Sequence, residues 1–70
     1  MANEGCSNVR VNVRKSGEII ATGWIGYSRA EFLHRKKNCN PRYDVAVYDH
    51  ERLEGRSIGM FEFGMLELAD

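Results

Sequence analysis

The sequence lacks several features that define common protein classes. It contains two cysteines and one proline among 70 residues, and no apolar run approaches the roughly 20 residues that span a bilayer. Two cysteines, Cys6 and Cys39, are too few for a disulfide framework, and reduced thiols are typical of a cytoplasmic protein. The first ten residues contain no apolar segment, so we expect no secretory signal peptide. The predicted location is the cytoplasm, without a membrane partner.

Catalytic motifs are also scarce. Neither glycine pattern that holds phosphates, G-x-x-x-x-G-K-[ST] or G-x-G-x-x-G, occurs. GYSRA is similar to the nucleophile motif G-x-S-x-G, but so short a chain has no room for the large parallel sheet that presents it. Asp49, His50 and Glu51 could perform acid–base chemistry, although a solvated turn is the favoured interpretation. We therefore expect no enzymatic activity, no catalytic residue and no cofactor.

The same scarcity applies to metal ligands. Cys6, His34, Cys39 and His50 are chemically acceptable to zinc, but the close ligand pairs of structural zinc sites are absent. We expect no metal site. Whether Cys6 and Cys39 pair on oxidation stays open, because spacing alone does not show that two thiols are close.

Net charge is zero, yet the two halves of the chain differ strongly. Residues 1–42 hold eight Lys/Arg and three acids, which gives +5, and residues 43–70 hold two arginines and seven acids, which gives −5. Such asymmetry is typical either of a basic nucleic-acid face or of two halves that attract each other within a fold or a dimer. We favour mutual attraction, because nucleic-acid-binding domains usually carry net positive charge.

Strict alternation of valine with polar residues in NVRVNVRK predicts a half-buried strand over residues 8–15. Ser16 and Gly17 then predict a two-residue hairpin turn that places Lys15 opposite Glu18. A loop one residue longer would exchange the two faces of the second strand, because register parity decides which side chains are buried. With the two-residue turn, Ile20, Thr22 and Trp24 join the valine face, while Ile19, Ala21 and Gly23 join the arginine face.

The segment YSRAEFLHRKKN predicts a helix that begins after Ser28 and ends by Asn38. Ser28 is a good N-cap residue, and Glu31 completes a capping box. Tyr27 and Phe32 have the spacing of a hydrophobic staple. The buried side is predicted to contain Ala30, Phe32 and Leu33, with the stems of Arg29 and Lys36 at its flank.

Two further strands are predicted after the helix. Residues 42–49 form a strand with Tyr43, Val45 and Val47 inward, and residues 50–57 form a charged loop. Residues 58–69 form the fourth strand, with a helix over 60–69 as the main alternative. On that strand Phe61, Phe63 and Met65 face the core, and Gly64 marks a bulge.

The predicted fold class is α+β with the order ββαββ, in which one helix packs on a four-stranded, largely antiparallel sheet. Residues 1–7 are predicted to form a flexible tail, and residues 8–70 a single small domain. The helix covers one face of the sheet and leaves the other open, and exposed apolar surface on such a face is typical of a binding site. The predicted open face contains Arg10, Asn12, Arg14, Ile19, Ala21, Ala46, Tyr48, Met60 and Leu66.

These features favour a non-enzymatic binding module. We expect a small regulatory or inhibitory protein, of the kind that phages and other mobile elements encode, that docks on a larger protein or complex. A homodimer is a further expectation, because the open face could also bind a second copy. The predicted partner-binding residues are Arg10, Arg14, Ile19, Tyr48, Met60, His50, Glu51 and Arg52.

The alternative is a nucleic-acid-binding regulator that uses a basic N-terminal hairpin and helix. Lysines and arginines would contact phosphates, and Trp24 or Tyr48 would offer a stacking surface for bases. The residues predicted for this alternative are Arg10, Arg14, Lys15, Arg29, Arg35, Lys36 and Lys37.

Overall fold

The computed structural model describes residues 8–38 and 40–69, and within them the chain is an α+β fold with one helix and antiparallel sheets. The predicted tail over residues 1–7 and both cysteines lie outside the described residues. In chain order the elements are β1 Val9–Lys15, β2 Glu18–Ile25, α1 Arg29–Asn38, β3 Asp44–Val47, β4 Gly59–Glu62, a 3₁₀ turn over Phe63–Met65, and β5 Leu66–Leu68.

The strands form two sheets, whereas one four-stranded sheet was predicted. The larger sheet has the order β2-β1-β5, and the smaller pairs β3 with β4. A single bridge between Trp24 and Tyr48 joins the two sheets. The difference arises at residues 58–69, where the predicted single strand is divided by the 3₁₀ turn. The chain after the turn therefore leaves β4 and pairs with β1 instead.

The 3₁₀ turn is held by the segment that precedes β3. The Gly64 N–H donates to the Pro41 carbonyl at 2.8 Å, and the Phe63 N–H donates to the Tyr43 carbonyl at 2.9 Å. From the helix, Lys36 Nζ donates to the Phe63 carbonyl at 3.1 Å. Neither a bulge at Gly64 nor a helix over 60–69 forms. The backbone can bend at residues 63–65 because these contacts satisfy the N–H and C=O groups that lie beyond the end of β4.

The first hairpin turns at Ser16 and Gly17, as predicted. Both residues have positive φ, 54° and 85°, which is typical of the tight turns whose twist suits a hairpin. Lys15 pairs with Glu18. The turn itself was therefore predictable from the sequence.

The prediction of which β2 side chains face the core is wrong, because a bulge occurs in β2 shortly after the turn. Arg14 pairs with Ile19 but Val13 pairs with Ala21, so Ile20 is the extra residue. One inserted residue exchanges the two faces of a strand. Ala21 and Gly23 consequently lie on the valine face, whereas Thr22 and Trp24 lie on the outward face with Asn12 and Arg10.

The core contains residues from both sheets and the helix. Leu66, predicted on the open face, is only 2% exposed, since β5 belongs to the larger sheet and presents this side chain inward. Phe61 and Met65 pack against the core, as does Ala21, which was also predicted on the open face. The buried members are Val9, Val11, Val13, Ile25, Phe32, Val47, Phe63 and Leu66.

The helix begins as predicted but buries less than predicted. The Glu31 N–H donates to Ser28 Oγ at 3.2 Å, which confirms the N-cap. Phe32 is the buried residue of the helix, and Leu33 is 47% exposed. The predicted burial of Leu33 and Ala30 is wrong, because the ten-residue helix meets the core through the Phe32 ring, which packs edge-on against Phe63. No helix in the described part of the chain is long and apolar enough to cross a membrane.

Candidate functional site

Three side chains form a row on the outward surface where the two sheets meet. The Trp24 N–H donates to the Tyr48 carbonyl at 2.6 Å, and the Tyr48 N–H donates to the Trp24 carbonyl at 2.8 Å. On the other side of Trp24, its cross-strand partner is Arg10. Paired residues of adjacent strands present their side chains on the same face. We call Arg10, Trp24 and Tyr48 the arginine–aromatic row.

The neighbours of the row in the chain show that it faces away from the core. Val9 and Val11 flank Arg10, Ile25 follows Trp24, and Val47 precedes Tyr48. These four neighbours are 8% exposed or less. Strand side chains alternate between the two faces of a sheet. Because these neighbours point into the core, the side chains of the row lie on the outer face.

Gly23 allows the two sheets to approach closely at this point. A Cβ atom at position 23 would lie 2.6 Å from Val47 Cγ1 and still closer to the Tyr48 carbonyl oxygen. Contacts this short do not occur with a real side chain, so any larger residue would push β3 away from β2. The spacing of Trp24 and Tyr48 therefore depends on a glycine at position 23.

Arg10 differs from the neighbouring Arg14 in its partners. Arg10 is exposed, and its side chain forms no hydrogen bond or ion pair with any residue of the described segments. Arg14 Nε instead donates to Glu67 Oε1 at 2.7 Å, and Arg14 Nη1 donates to the Gly17 carbonyl at 3.0 Å. Hydrogen bonds from the Arg14 guanidinium and, with a smaller effect, from the Asn12 amide hold the pKa of Glu67 below its usual value. Arg10 is therefore the arginine of β1 that is available to a partner.

The loop over residues 50–57 lies beside the row. Asn8 Nδ2, at the start of β1, donates to the Glu51 carbonyl at 2.8 Å. The Leu53 N–H donates to the His50 carbonyl at 2.9 Å, and a Cβ on Gly26 would lie 3.3 Å from Leu53 Cδ1. These contacts hold the loop against the start of β1 and the segment after β2. His50, Glu51 and Arg52 are exposed in this loop.

The predicted partner-binding residues are thus divided among three places. Arg10, Tyr48 and the loop residues His50, Glu51 and Arg52 lie around the row. Arg14 and Ile19 form a cross-strand pair near the hairpin turn, where Ile19 is 48% exposed. Met60 lies on β4, opposite Ala46, and is 58% exposed. The prediction placed Trp24, the centre of the row, on the buried face because it did not include the bulge.

The cations predicted for nucleic-acid binding are divided between the hairpin and the helix. Arg35 Nε donates to Glu31 Oε2 at 2.9 Å, and this contact raises the pKa of Arg35. Lys36 turns back over the Phe32 and Phe63 rings, and burial there lowers the pKa of its ammonium group. Lys15 and Lys37 are exposed at the hairpin turn and on the last turn of the helix. Arg14, Arg35 and Lys36 thus each have a partner within the chain.

The residues considered for metal binding or acid–base chemistry are not assembled into a site in the described segments. No group of three or more His, Cys, Asp or Glu side chains able to hold a metal occurs there, and Cys6 and Cys39 lie outside them. His50 accepts the Arg52 N–H at Nδ1 over 3.0 Å, and its Nε2 lies 4.0 Å from a Glu54 carboxylate oxygen. Both contacts are those of an exposed turn.

Comparison of the chain with protein-family models, with curated proteins and with solved structures finds no match.

Proposed function

We propose that this protein is a non-enzymatic binding module that docks on a larger protein through the arginine–aromatic row and the adjacent 50–57 loop. The observation that supports this function best is the backbone bridge between Trp24 and Tyr48, which fixes two aromatic side chains beside Arg10. Trp, Tyr and Arg are the residues that dominate the binding energy of protein interfaces.

The geometry of the row favours binding because its side chains lose little conformational entropy when a partner binds. Trp24 and Tyr48 are half-buried in the monomer, and their strands are backed by the core. Ordering mobile side chains costs about 0.5–1.5 kcal/mol for each one, so rigid aromatic groups keep more of their contact energy. The exposed charges of His50, Glu51 and Arg52 would form a polar rim that orients the partner.

A regulatory or inhibitory role is part of the proposal. A chain that acts by occupying a surface of a larger protein needs a rigid contact patch and no catalytic machinery, and small accessory proteins of phages and other mobile elements commonly act in this way. We place this activity in the cytoplasm.

Affinity capture with matched variants tests the function. Tagged wild-type protein, Arg10→Ala, Trp24→Ala and Lys37→Ala are incubated with extract of the native host, and bound proteins are quantified by mass spectrometry. We expect one partner to be recovered by wild-type protein and by Lys37→Ala, which alters an exposed charge on the helix. Recovery by Arg10→Ala and Trp24→Ala should fall about tenfold or more, as expected for central interface residues. Equal recovery by all four proteins would contradict the proposal.

Nucleic-acid binding is the second candidate, because Trp24 and Tyr48 could also stack on unpaired bases. Titration with duplex and single-stranded oligonucleotides at two salt concentrations separates the two functions. We expect no binding at low salt, where phosphate contacts are strongest. Oligonucleotide binding that is lost in Trp24→Ala and weakens steeply with salt would favour nucleic acid over a protein partner.

A further inference from the structure

The outer edge of strand β4 is protected only by the shortness of the strand and by one charged residue, Glu62. Among the described strands, β4 is hydrogen-bonded to β3 alone. Exposed strand edges are normally protected by a bulge, by extreme shortness, by charged side chains, especially lysine, or by proline. The outer edge of β2 has the bulge at Ile20, and β5 has only three residues. Residues 58–62 contain neither lysine nor proline, Glu62 is their one charged residue, and the register of β4 with β3 is regular.

The backbone groups of Met60 and Glu62 point toward this outer edge. The Phe63 N–H donates to the Tyr43 carbonyl, which identifies Phe63 and Tyr43 as a hydrogen-bonded pair. Such pairs alternate along an antiparallel ladder with pairs whose N–H and C=O groups face outward. Met60 and Glu62 occupy the outward-facing positions, so each offers one N–H donor and one C=O acceptor to a further strand.

The side chains beside this edge are apolar and acidic. Met60 is 58% exposed and Ile58 is 43% exposed. Glu62 lies directly opposite Asp44, and both are exposed. Neither carboxylate forms an ion pair with a cation of the described residues. Like charges directly opposite on adjacent strands are destabilising, so a cation placed here would be favourable.

We propose that β4 accepts an added strand from the docking partner, and that this strand is an extended segment in which a basic residue and an apolar residue lie two positions apart, on the same face. The outward N–H and C=O groups of Met60 and Glu62 would bind its backbone, as in other cases of strand addition. A lysine or arginine of the segment would lie against Glu62 and Asp44, and an apolar residue would contact Met60. The inference rests on the proposed function, since it identifies the chemistry of the partner's second contact.

Two capped peptides test this inference with the whole protein. One has the sequence threonine-lysine-threonine-valine-threonine, which places the lysine and the valine on one face, and the other has glutamate in place of the lysine. In a titration followed by amide NMR, the lysine peptide should shift the Met60 and Glu62 resonances and slow their hydrogen exchange. The glutamate peptide should bind about tenfold more weakly, because it sets like charges against Glu62 and Asp44.

The variant Glu62→Lys should reverse this preference, so that the glutamate peptide binds more tightly than the lysine peptide. The variant should fold, because it replaces a like-charge cross-strand pair with an opposite-charge pair. Glu18→Lys at the exposed hairpin turn makes the same change in net charge on a strand that does not pair with β4. It should leave the preference for the lysine peptide in place.

Equal binding of both peptides, or resonance shifts that leave Met60 and Glu62 unaffected, would overturn the inference. Concentration-dependent self-association that protects the same two amides would also overturn it, because a second copy would then occupy the edge. Failure of the peptides is distinguishable from failure of the proposed function. Capture of a partner that still depends on Arg10 and Trp24 would retain the docking function and remove only the added strand.

Discussion

At the scale of single residues, the arginine–aromatic row depends on Gly23 and Ile20, neither of which is a member of the row. Ile20 is the inserted residue of the bulge, and it turns Trp24 from the core face to the outward face. Gly23 lets the backbone of β3 lie against β2, which brings Tyr48 beside Trp24. The row is therefore produced by backbone geometry more than by the chemistry of its own members.

Gly23→Ala should destabilise the protein by about 1–3 kcal/mol, because the added methyl group overpacks the contact between the sheets. Chemical denaturation followed by tryptophan fluorescence measures the effect. Gly26→Ala is the matched control. Its Cβ would approach the movable end of Leu53 at 3.3 Å, so it should cost less. An equal or smaller loss in Gly23→Ala would show that the sheets do not need a glycine there.

The carboxylate of Glu67 should make stability depend on acid pH. Its pKa is lowered in the folded protein, mainly by the hydrogen bond from Arg14. The stabilisation is fully present above the unfolded-state pKa of 4.5 and is lost as pH falls through the lower folded-state pKa. We expect Glu67→Gln to lower the urea midpoint at neutral pH and to approach wild-type stability in acid well below pH 4.5, where the carboxylate becomes protonated in the folded protein. A midpoint difference that is the same at both pH values would contradict this role.

At the scale of secondary-structure elements, local signals were sufficient where neighbouring residues determine the structure. The valine alternation predicted β1, Ser16 and Gly17 predicted the turn, and Ser28 predicted the start of the helix. What could not be predicted was non-local. The bulge at Ile20 forms in the pairing of β2 with β1, and the 3₁₀ turn at residues 63–65 is bonded to the segment over residues 41–43. The bulge decides which face the residues after it join, and the turn decides which sheet they join.

Loss of the helix cap offers a test at this scale. Ser28→Ala removes the acceptor of the Glu31 N–H and should lower the free energy of unfolding by about 1 kcal/mol. Ser28→Asp, which restores an acceptor at the cap, should recover most of this loss. Thermal and urea unfolding measure both variants. Loss of partner binding in Ser28→Ala with unchanged stability would instead assign Ser28 a direct functional role.

At the scale of the whole molecule, some charges of both halves have no ion-pair partner within the described residues. Within residues 8–38 and 40–69, Arg14–Glu67 is the ion pair that joins the basic half to the acidic half, and Glu31–Arg35 lies within one half. The predicted attraction between the two halves, within one fold or across a dimer, stays a prediction. Arg10 on β1 and the Asp44–Glu62 pair on β3 and β4 remain available to external partners.

Site-directed photocrosslinking in the native host tests the central claim most directly. A photoreactive phenylalanine analogue replaces Tyr48 in one protein and Lys37 in another, and adducts are identified by mass after irradiation. Docking through the arginine–aromatic row predicts a covalent adduct with one larger protein from position 48 and none from position 37. An adduct formed from position 37 alone, or an adduct from position 48 that contains only nucleic acid, would contradict this account.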